Sequence, residues 1–210
     1  MGSVMENKEV SQVPILPAQA GEFELEQLVL ASASPRRAEI LRAVGWPFEV
    51  APANIDEAAR GDESVSEYVE RLACEKAEAV AAQQSSGLVL GADTAVAVGS
   101  MMLGKPADTE DARRMLRLLS GKWHEVLTGV ALVRVETREV LVAHERTRVQ
   151  FSALTEAEIE WYAATGEPGD KAGAYAVQGR AALFIEAIEG DYWNVVGLPV
   201  RLIYKLVGEL

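Results

Sequence analysis

The chain has 210 residues, 49% of them apolar and 25% charged, with a formal net charge of −12. That length suits one domain, or two lobes sharing a sheet, with a sizeable core. A surface so acidic repels phosphate backbones and argues against general nucleic-acid binding, whereas a small anionic substrate requires a local cluster of Lys and Arg that overrides the global field.

Residues 1–27 carry Pro14, Pro17, Gly21 and scattered acids without a sustained period, and read as a mobile extension ahead of a domain over 28–210. Leu28 to Ala31 reads as a buried strand. Ser34 stands where it can cap a helix with Pro35 at its first position and Gly45 at its end. Phe48 to Ala51 predicts a second strand, and Asn54 to Glu63 a polar loop. Ser64 with Glu67 forms a capping box for a helix reaching about Gln83. Leu88-Val89-Leu90 predicts a buried strand ending at Gly91-Ala92-Asp93-Thr94, followed by a hairpin, 95–98 with 101–103, around Gly99-Ser100. A helix starts at Asp108 or Thr109 and ends near Gly121. Two long strands, 126–135 and 140–151, lead to a second capping box, Thr155 with Glu158, for a helix ending at Gly166. Weak strands are expected around 174–177, 183–188 and 193–196, and Pro199 starts a last helix. Strands alternating with helices, plus a long hairpin, give an α/β fold with a mixed sheet.

Cys74 is the single cysteine, which excludes an intramolecular disulfide and a Cys-rich metal cage. Its solitude fits a reducing cytosol, so the cytoplasm is the expected location. His124 and His144 lie in different segments, which excludes a His-rich zinc site and leaves a Ser-His-Asp triad without support. No apolar run approaches the roughly 20 residues of a membrane span, and no basic patch precedes an apolar core as in a signal peptide. Gly2 invites a myristoylation reading, but Glu6 stands where that motif needs Ser or Thr. Neither a membrane nor a nucleic acid is expected as a partner.

Five constellations carry chemistry. In Ala31-Ser32-Ala33-Ser34-Pro35-Arg36-Arg37 a strand gives way to a helix through small residues. Free N–H groups point outward there, and two arginines add phosphate forks at a helix end where cations otherwise oppose the dipole. Val65, Val69, Leu72, Lys76 and Val80 recur along one helix face, so Lys76 stands where the pattern wants an apolar residue. It either has a buried partner or snorkels to the lobe edge. Asp93 follows an apolar run, where a carboxylate can hold a divalent cation, orient water or take its proton, or simply bond its own turn. Lys105, fixed between Gly104 and Pro106, can reach a phosphate, although no P-loop string is present. Asp170 to Tyr175, continuing to Gln178-Gly179, offers the charge of Lys171 and an amide able to read a base edge, or a glycine-rich crossover. Glu57 is an acid in a polar loop, while His124 and the tryptophans read as structural.

Taken together, these strings resemble the Maf family of nucleotide pyrophosphatases. The pieces are LASASPRR (30–37), IDE (55–57), EKA (75–77), GADT (91–94), GKP (104–106), LSGKWHEVLTGVAL (119–132), TGEPGDKAGAYAVQG (165–179) and IEGDYWNVVGLP (188–199), in the family's order over 28–210. The resemblance implies a fold similar to the inosine triphosphate pyrophosphatases, with a long mixed sheet and two lobes around a deep cleft. It implies cleavage between the α and β phosphates of a nucleotide substrate with a divalent cation, Mg²⁺ or Mn²⁺. By this likeness the proton-accepting Asp falls on Asp93, the phosphate-binding positions on Ser34, Arg37, Lys76 and Lys105, and the acidic metal partner on Glu57, with Asp93. Positions tied to substrate choice fall on Arg36, Thr94 and Gln178, with Lys171 beside them. DKAGAYAVQG is similar to the subgroup acting on dTTP and UTP, with a subgroup preferring 7-methyl-GTP as the alternative. Ala176 replaces a usual Gly and narrows the base pocket, and Lys122 stands where Arg is common. A homodimer is compatible with the resemblance, though no stretch identifies an interface. Maf proteins have been associated with septum formation, so a non-catalytic nucleotide-binding regulator is the contrasting reading.

Overall fold

A computed structural model describes residues 25–210. The extension expected over 1–27 therefore lies mostly outside the described residues, but its last three positions belong to the body. Leu25 packs on the main core. Glu26 pairs with Arg134 at 2.8 Å, and its carbonyl accepts the indole N–H of Trp46. Gln27 bonds Glu49 across to the next strand.

The sheet has seven strands: β1 (Leu28–Leu30), β2 (Phe48–Val50), β3 (Leu88–Val98), β4 (Met101–Leu103), β5 (Trp123–Arg134), β6 (Glu139–Phe151) and β7 (Ile185–Glu189). Their order is β2-β1-β3-β5-β6-β7, with β4 beside the far end of β3. β1 runs parallel to β2 and β3, and the remaining pairs are antiparallel. The helices are α1 (Pro35–Ala43), α2 (Val65–Ala81), α3 (Thr109–Leu119), α4 (Glu156–Ala164), α5 (Tyr192–Val196) and α6 (Val200–Val207).

Both faces of the sheet are covered, as the near-continuous apolar runs of β3 and β5 require. On one face, Val89, Ala95 and Ala97 pack beneath α2 through Val69, Ala73, Ala77 and Val80. On the other, Leu88, Leu90, Ala92 and Val96 meet α1, α3, α4 and α6 in the main core. α2 approaches the sheet closely because two glycines let it. A Cβ on Gly91 would lie 2.0 Å from the Ala73 carbonyl oxygen, and one on Gly129 would lie 2.2 Å from that of Val69. Both predicted capping boxes are present, at Ser64/Glu67 and Thr155/Glu158.

Three local expectations are corrected. β3 does not end at Gly91–Thr94 but continues to Val98, because β5 pairs with it from Leu88 to Ala97 and supplies hydrogen bonds throughout. Residues 174–177 form no strand: Gly173 (φ 68°) and Ala174 (φ 60°) are consecutive left-handed residues, which turn the chain out of extended geometry. Residues 193–196 are helical. The Asp191 side chain accepts from Trp193 N, and Gly197 (φ 123°) ends the helix; so short an apolar run leaves period alone unable to choose.

Candidate functional site

β1 pairs with β3 only as far as Leu90 and β4 only from Val96, opposite Leu103, so the edge of β3 between them has no neighbouring strand among the described residues. A cleft of about 470 Å³ opens at that gap. One wall is the turn from β1 into α1; the other comprises Gly104-Lys105 and residues 170–178, with α2 and the 53–57 loop across the floor. Asp93 therefore lies within a strand rather than in the expected turn, but beyond the carboxyl end of β1, where open α/β sheets place ligands.

Along β3, Asp93 shares the α2 face with Gly91 and Ala95. Gly91 and Gly129 let α2 settle, and Lys76 reaches down to it. Its Nζ lies 2.6 Å from Asp93 Oδ1 and 2.6 Å from Glu57 Oε1. Lys76 and Asp93 are buried, at 7% and 8% exposure. The alternative of a lysine snorkelling to solvent is thus overturned: Lys76 has two carboxylate partners. Burial raises the Glu57 pKa, but the hydrogen bond and charge of Lys76, with the charges of Lys105 and Arg37, outweigh it and hold Glu57 below its ordinary value. The phenol of Tyr68, also on α2, donates to the Glu57 carbonyl at 3.0 Å and fixes the loop.

On the opposite face of β3, Thr94 meets α1. Arg37 is buried and donates from Nε to the Gly197 carbonyl (2.9 Å), from Nη1 to Ser32 Oγ (3.0 Å) and from Nη2 to Thr94 Oγ1 (3.2 Å). A guanidinium has five N–H groups, so two remain for an anion in the cleft. Burial lowers the pKa of Arg37 and the Asp93 charge opposes the fall; a guanidinium stays protonated regardless. Ser34 occupies the cap position of α1, yet its side chain makes no capping bond, contrary to expectation. Its backbone N–H donates to Ser32 Oγ instead, and Ser34 lines the cleft.

At the mouth, Arg36 pairs with Asp170 at 2.9 Å, and Lys171 pairs with the same carboxylate. That contact joins α1 to the opposite wall. Lys105 is exposed, with no ion-pair partner among the described residues, and Gln178 lies exposed on the wall. Every candidate residue read from the sequence lines this one cleft: Ser34, Arg36, Arg37, Glu57, Lys76, Asp93, Thr94, Lys105, Lys171 and Gln178. Five cationic side chains and three carboxylates line it, a local positive surplus in a molecule of net charge −12.

Ser32 and Asp170 fall inside the strings singled out from the sequence but had no role of their own there, and Tyr68 and the buried polar seam behind the cleft were missed. There, Asn194 Nδ2 donates to the Val126 carbonyl and to Thr147 Oγ1, and Thr128 Oγ1 donates to the Asn194 carbonyl. This seam seats α5 and so aims the Gly197 carbonyl at Arg37. Asn194 inside the apolar run Trp193–Val196 was the available signal.

A family described as Maf-like protein matches residues 27–210. The chain belongs to the Maf family. Among curated Maf relatives, it is 57% identical over 185 residues to the dTTP/UTP pyrophosphatase of Symbiobacterium thermophilum, covering 88% of this chain and 94% of that one. It is 52% identical over 176 residues to the dTTP/UTP pyrophosphatase of Pelotomaculum thermopropionicum, covering 84% and 92%. Among solved structures, the Staphylococcus aureus Ham1 protein matches with a TM-score of 0.52 at 14% identity, over 88% of this chain and all of that one. That likeness concerns the fold alone, and it agrees with the mixed α/β sheet around a cleft.

Glu57 and Asp93 also bear on the divalent cation. No group of three His, Cys, Asp or Glu side chains gathers among the described residues, so the protein offers no complete cage. The point that Glu57 and Asp93 share is Lys76 Nζ, 2.6 Å from each; their carboxylate oxygens not bonded to it are hard donors of the kind Mg²⁺ or Mn²⁺ takes together with phosphate oxygens of a substrate. The residues present fit such an ion.

Proposed function

We propose that this protein hydrolyses dTTP and UTP, with modified pyrimidine nucleotides, to the monophosphate and pyrophosphate, and so clears nucleotide pools. The observation that carries this reading is the Glu57–Lys76–Asp93 cluster, with its lysine and aspartate buried, inside a cation-lined cleft. The Maf relatives carry the same activity in their names.

The triphosphate lies along Ser34, Arg37, Lys76 and Lys105, where the free N–H groups at the start of α1 add further donors. Asp93 Oδ1 is engaged by Lys76, while Oδ2 makes no protein hydrogen bond among the described residues. Oδ2 is the atom that orients a water for in-line attack on the α phosphorus and takes its proton. Lys76 holds Asp93 in place and, with Lys105, offsets charge developing on the departing pyrophosphate. Glu57 and Asp93 would hold a divalent cation, which when bound supplies Lewis-acid stabilisation of the phosphoryl oxygens. Arg36, Thr94 and Gln178 set the register of sugar and base, and Lys171 supports that wall.

The test is a hydrolysis screen over dTTP, UTP, 7-methyl-GTP and modified pyrimidine nucleotides with Mg²⁺, reading pyrophosphate directly. Pyrophosphate from dTTP and UTP supports the reading. Orthophosphate as the first product, or binding without turnover, overturns it. No helix among the described residues is long and apolar enough to cross a membrane. The cytoplasm is the compartment we assign, on the lone Cys74 and the substrate pool. The assembly we expect is a homodimer, which sedimentation checks.

A further inference from the structure

We propose that Glu167 is a positioning residue for base selection, acting through a hydrogen-bonded clasp that fixes the 176–180 segment. The inference rests on the nucleotide reading above, with the base lying against Gln178.

Glu167 does not line the cleft. Its carboxylate faces away, toward α4, and ties down both ends of one short segment. Directly, Oε1 and Oε2 accept the Arg180 backbone N–H at 2.9 and 3.1 Å. Indirectly, Oε1 accepts the Tyr162 phenol at 2.8 Å, and that phenol oxygen accepts the Ala176 backbone N–H at 3.1 Å. Tyr162 is fully buried and stands edge-on to Phe184, which leaves its hydroxyl no freedom to wander. Between the two tethers lie Ala176, Val177 and Gln178, the residues this segment contributes to the cleft wall.

The segment has no strand partner to hold it; its internal bond is Gly179 N–H to the Ala176 carbonyl. A Cβ on Gly179 would lie 2.4 Å from Glu167 Oε1, so a side chain there would displace the carboxylate from its present place. The carboxylate thus packs directly against the bare backbone next to Gln178. Glu167 also anchors the neighbouring wall, since its carbonyl accepts Lys171 Nζ at 2.8 Å. Charge-assisted acceptance of a backbone N–H and a phenol is stronger than a neutral bond. A Gln at this position would keep the shape but turn a donor toward donors.

The test uses the full chain with Mg²⁺ and equilibrium binding by calorimetry. The ligands are α,β-imido-UTP, α,β-imido-CTP and inorganic pyrophosphate, and the variants are Glu167→Gln and Tyr162→Phe. Both variants should weaken the uridine analogue by about tenfold, the scale of one lost charge-assisted bond. They should also narrow its preference over the cytidine analogue, with pyrophosphate affinity within about twofold of wild type. Unchanged uridine affinity and preference in both variants overturns the proposal. So does parallel loss of pyrophosphate binding, the mark of general structural damage, or a wild type with no preference between the analogues. If the wild type binds the uridine analogue yet releases no pyrophosphate from UTP, the hydrolytic reading fails while the clasp is still judged on these affinities.

Discussion

Lys76 Nζ and Asp93 Oδ1 stand 2.6 Å apart in a buried pocket, although one comes from a helix and the other from mid-strand. The contact leaves the second Asp93 oxygen without a protein hydrogen bond among the described residues, and the proposed base role falls to that atom. Asp93→Asn keeps the size and removes the proton acceptor. Its kcat for pyrophosphate release should fall at least about a hundredfold, the usual scale for a positioned base, while binding of a non-hydrolysable analogue stays within a few-fold. Near-normal kcat in that variant removes Asp93 from the base role.

Glu57 and Asp93 both bond Lys76 Nζ, and no group of three His, Cys, Asp or Glu side chains able to hold a metal gathers among the described residues, so a cation would depend on these two acids and the substrate. Chelation by EDTA should therefore abolish turnover, and Mg²⁺ or Mn²⁺ should restore it. In Glu57→Gln the cation concentration for half-maximal rate should rise by about tenfold or more. Full activity after exhaustive chelation would count against a cation.

α2 is seated by the absence of two side chains. In Gly91→Ala the new methyl meets the Ala73 carbonyl oxygen and Ala77 N, both backbone atoms, so the helix must move. Overpacking of this kind costs about 1–3 kcal/mol, and Tm should drop by about 2–12 °C for a chain of this size. Because Lys76 rides on α2, kcat should fall as well, even below the melting range. A Gly91→Ala protein with wild-type Tm and kcat would show that α2 can shift at no cost.

His124 is 2% exposed, shares a 2.8 Å hydrogen bond with the Tyr175 hydroxyl and stands edge-on to Phe151. Burial pushes its pKa down to about 4, with the Lys122 backbone opposing the shift. An unfolded histidine titrates near 6.5. As pH falls from about 6.5 to about 4, the unfolded state takes up a proton that the folded state refuses. Stability from the neutral ring is thus complete above about pH 6.5 and is lost progressively below it, by about 3 kcal/mol in all. Urea unfolding from about pH 7 to 4.5 should show this loss, and His124→Phe should flatten that part of the profile. Parallel pH profiles for the two proteins would rule out the histidine as the cause.

Much of the site was legible because its residues broke local rules. Lys76 interrupted an apolar helix face, Arg36 and Arg37 stood at a helix end that disfavours cations, and Asp93 followed a core strand. Each anomaly had a tertiary cause, and the cleft supplies all of them. Tyr68 and Asp170 gave no such signal, since a tyrosine on a half-buried helix and an acid in a loop satisfy local expectations wherever they sit. Ser34 misled in the other direction: its position is that of a cap, but its hydroxyl is not bonded to the helix.

The amino-acid pattern by itself determined the helices with capping boxes, the long β5–β6 pair and the inventory of cations and acids, because period, caps and turn residues act over a few neighbours. Only the tertiary structure decided that β3 runs on past Asp93, that 193–196 coils into a helix, and that the Glu57, Lys76 and Asp93 charges converge. Those outcomes depend on partners far away in sequence. β5 extends β3 by pairing with it, Asp191 and the Asn194 seam fold α5, and Gly91 with Gly129 lets α2 come close enough for an ammonium to reach two carboxylates. No local propensity encodes a distance between segments.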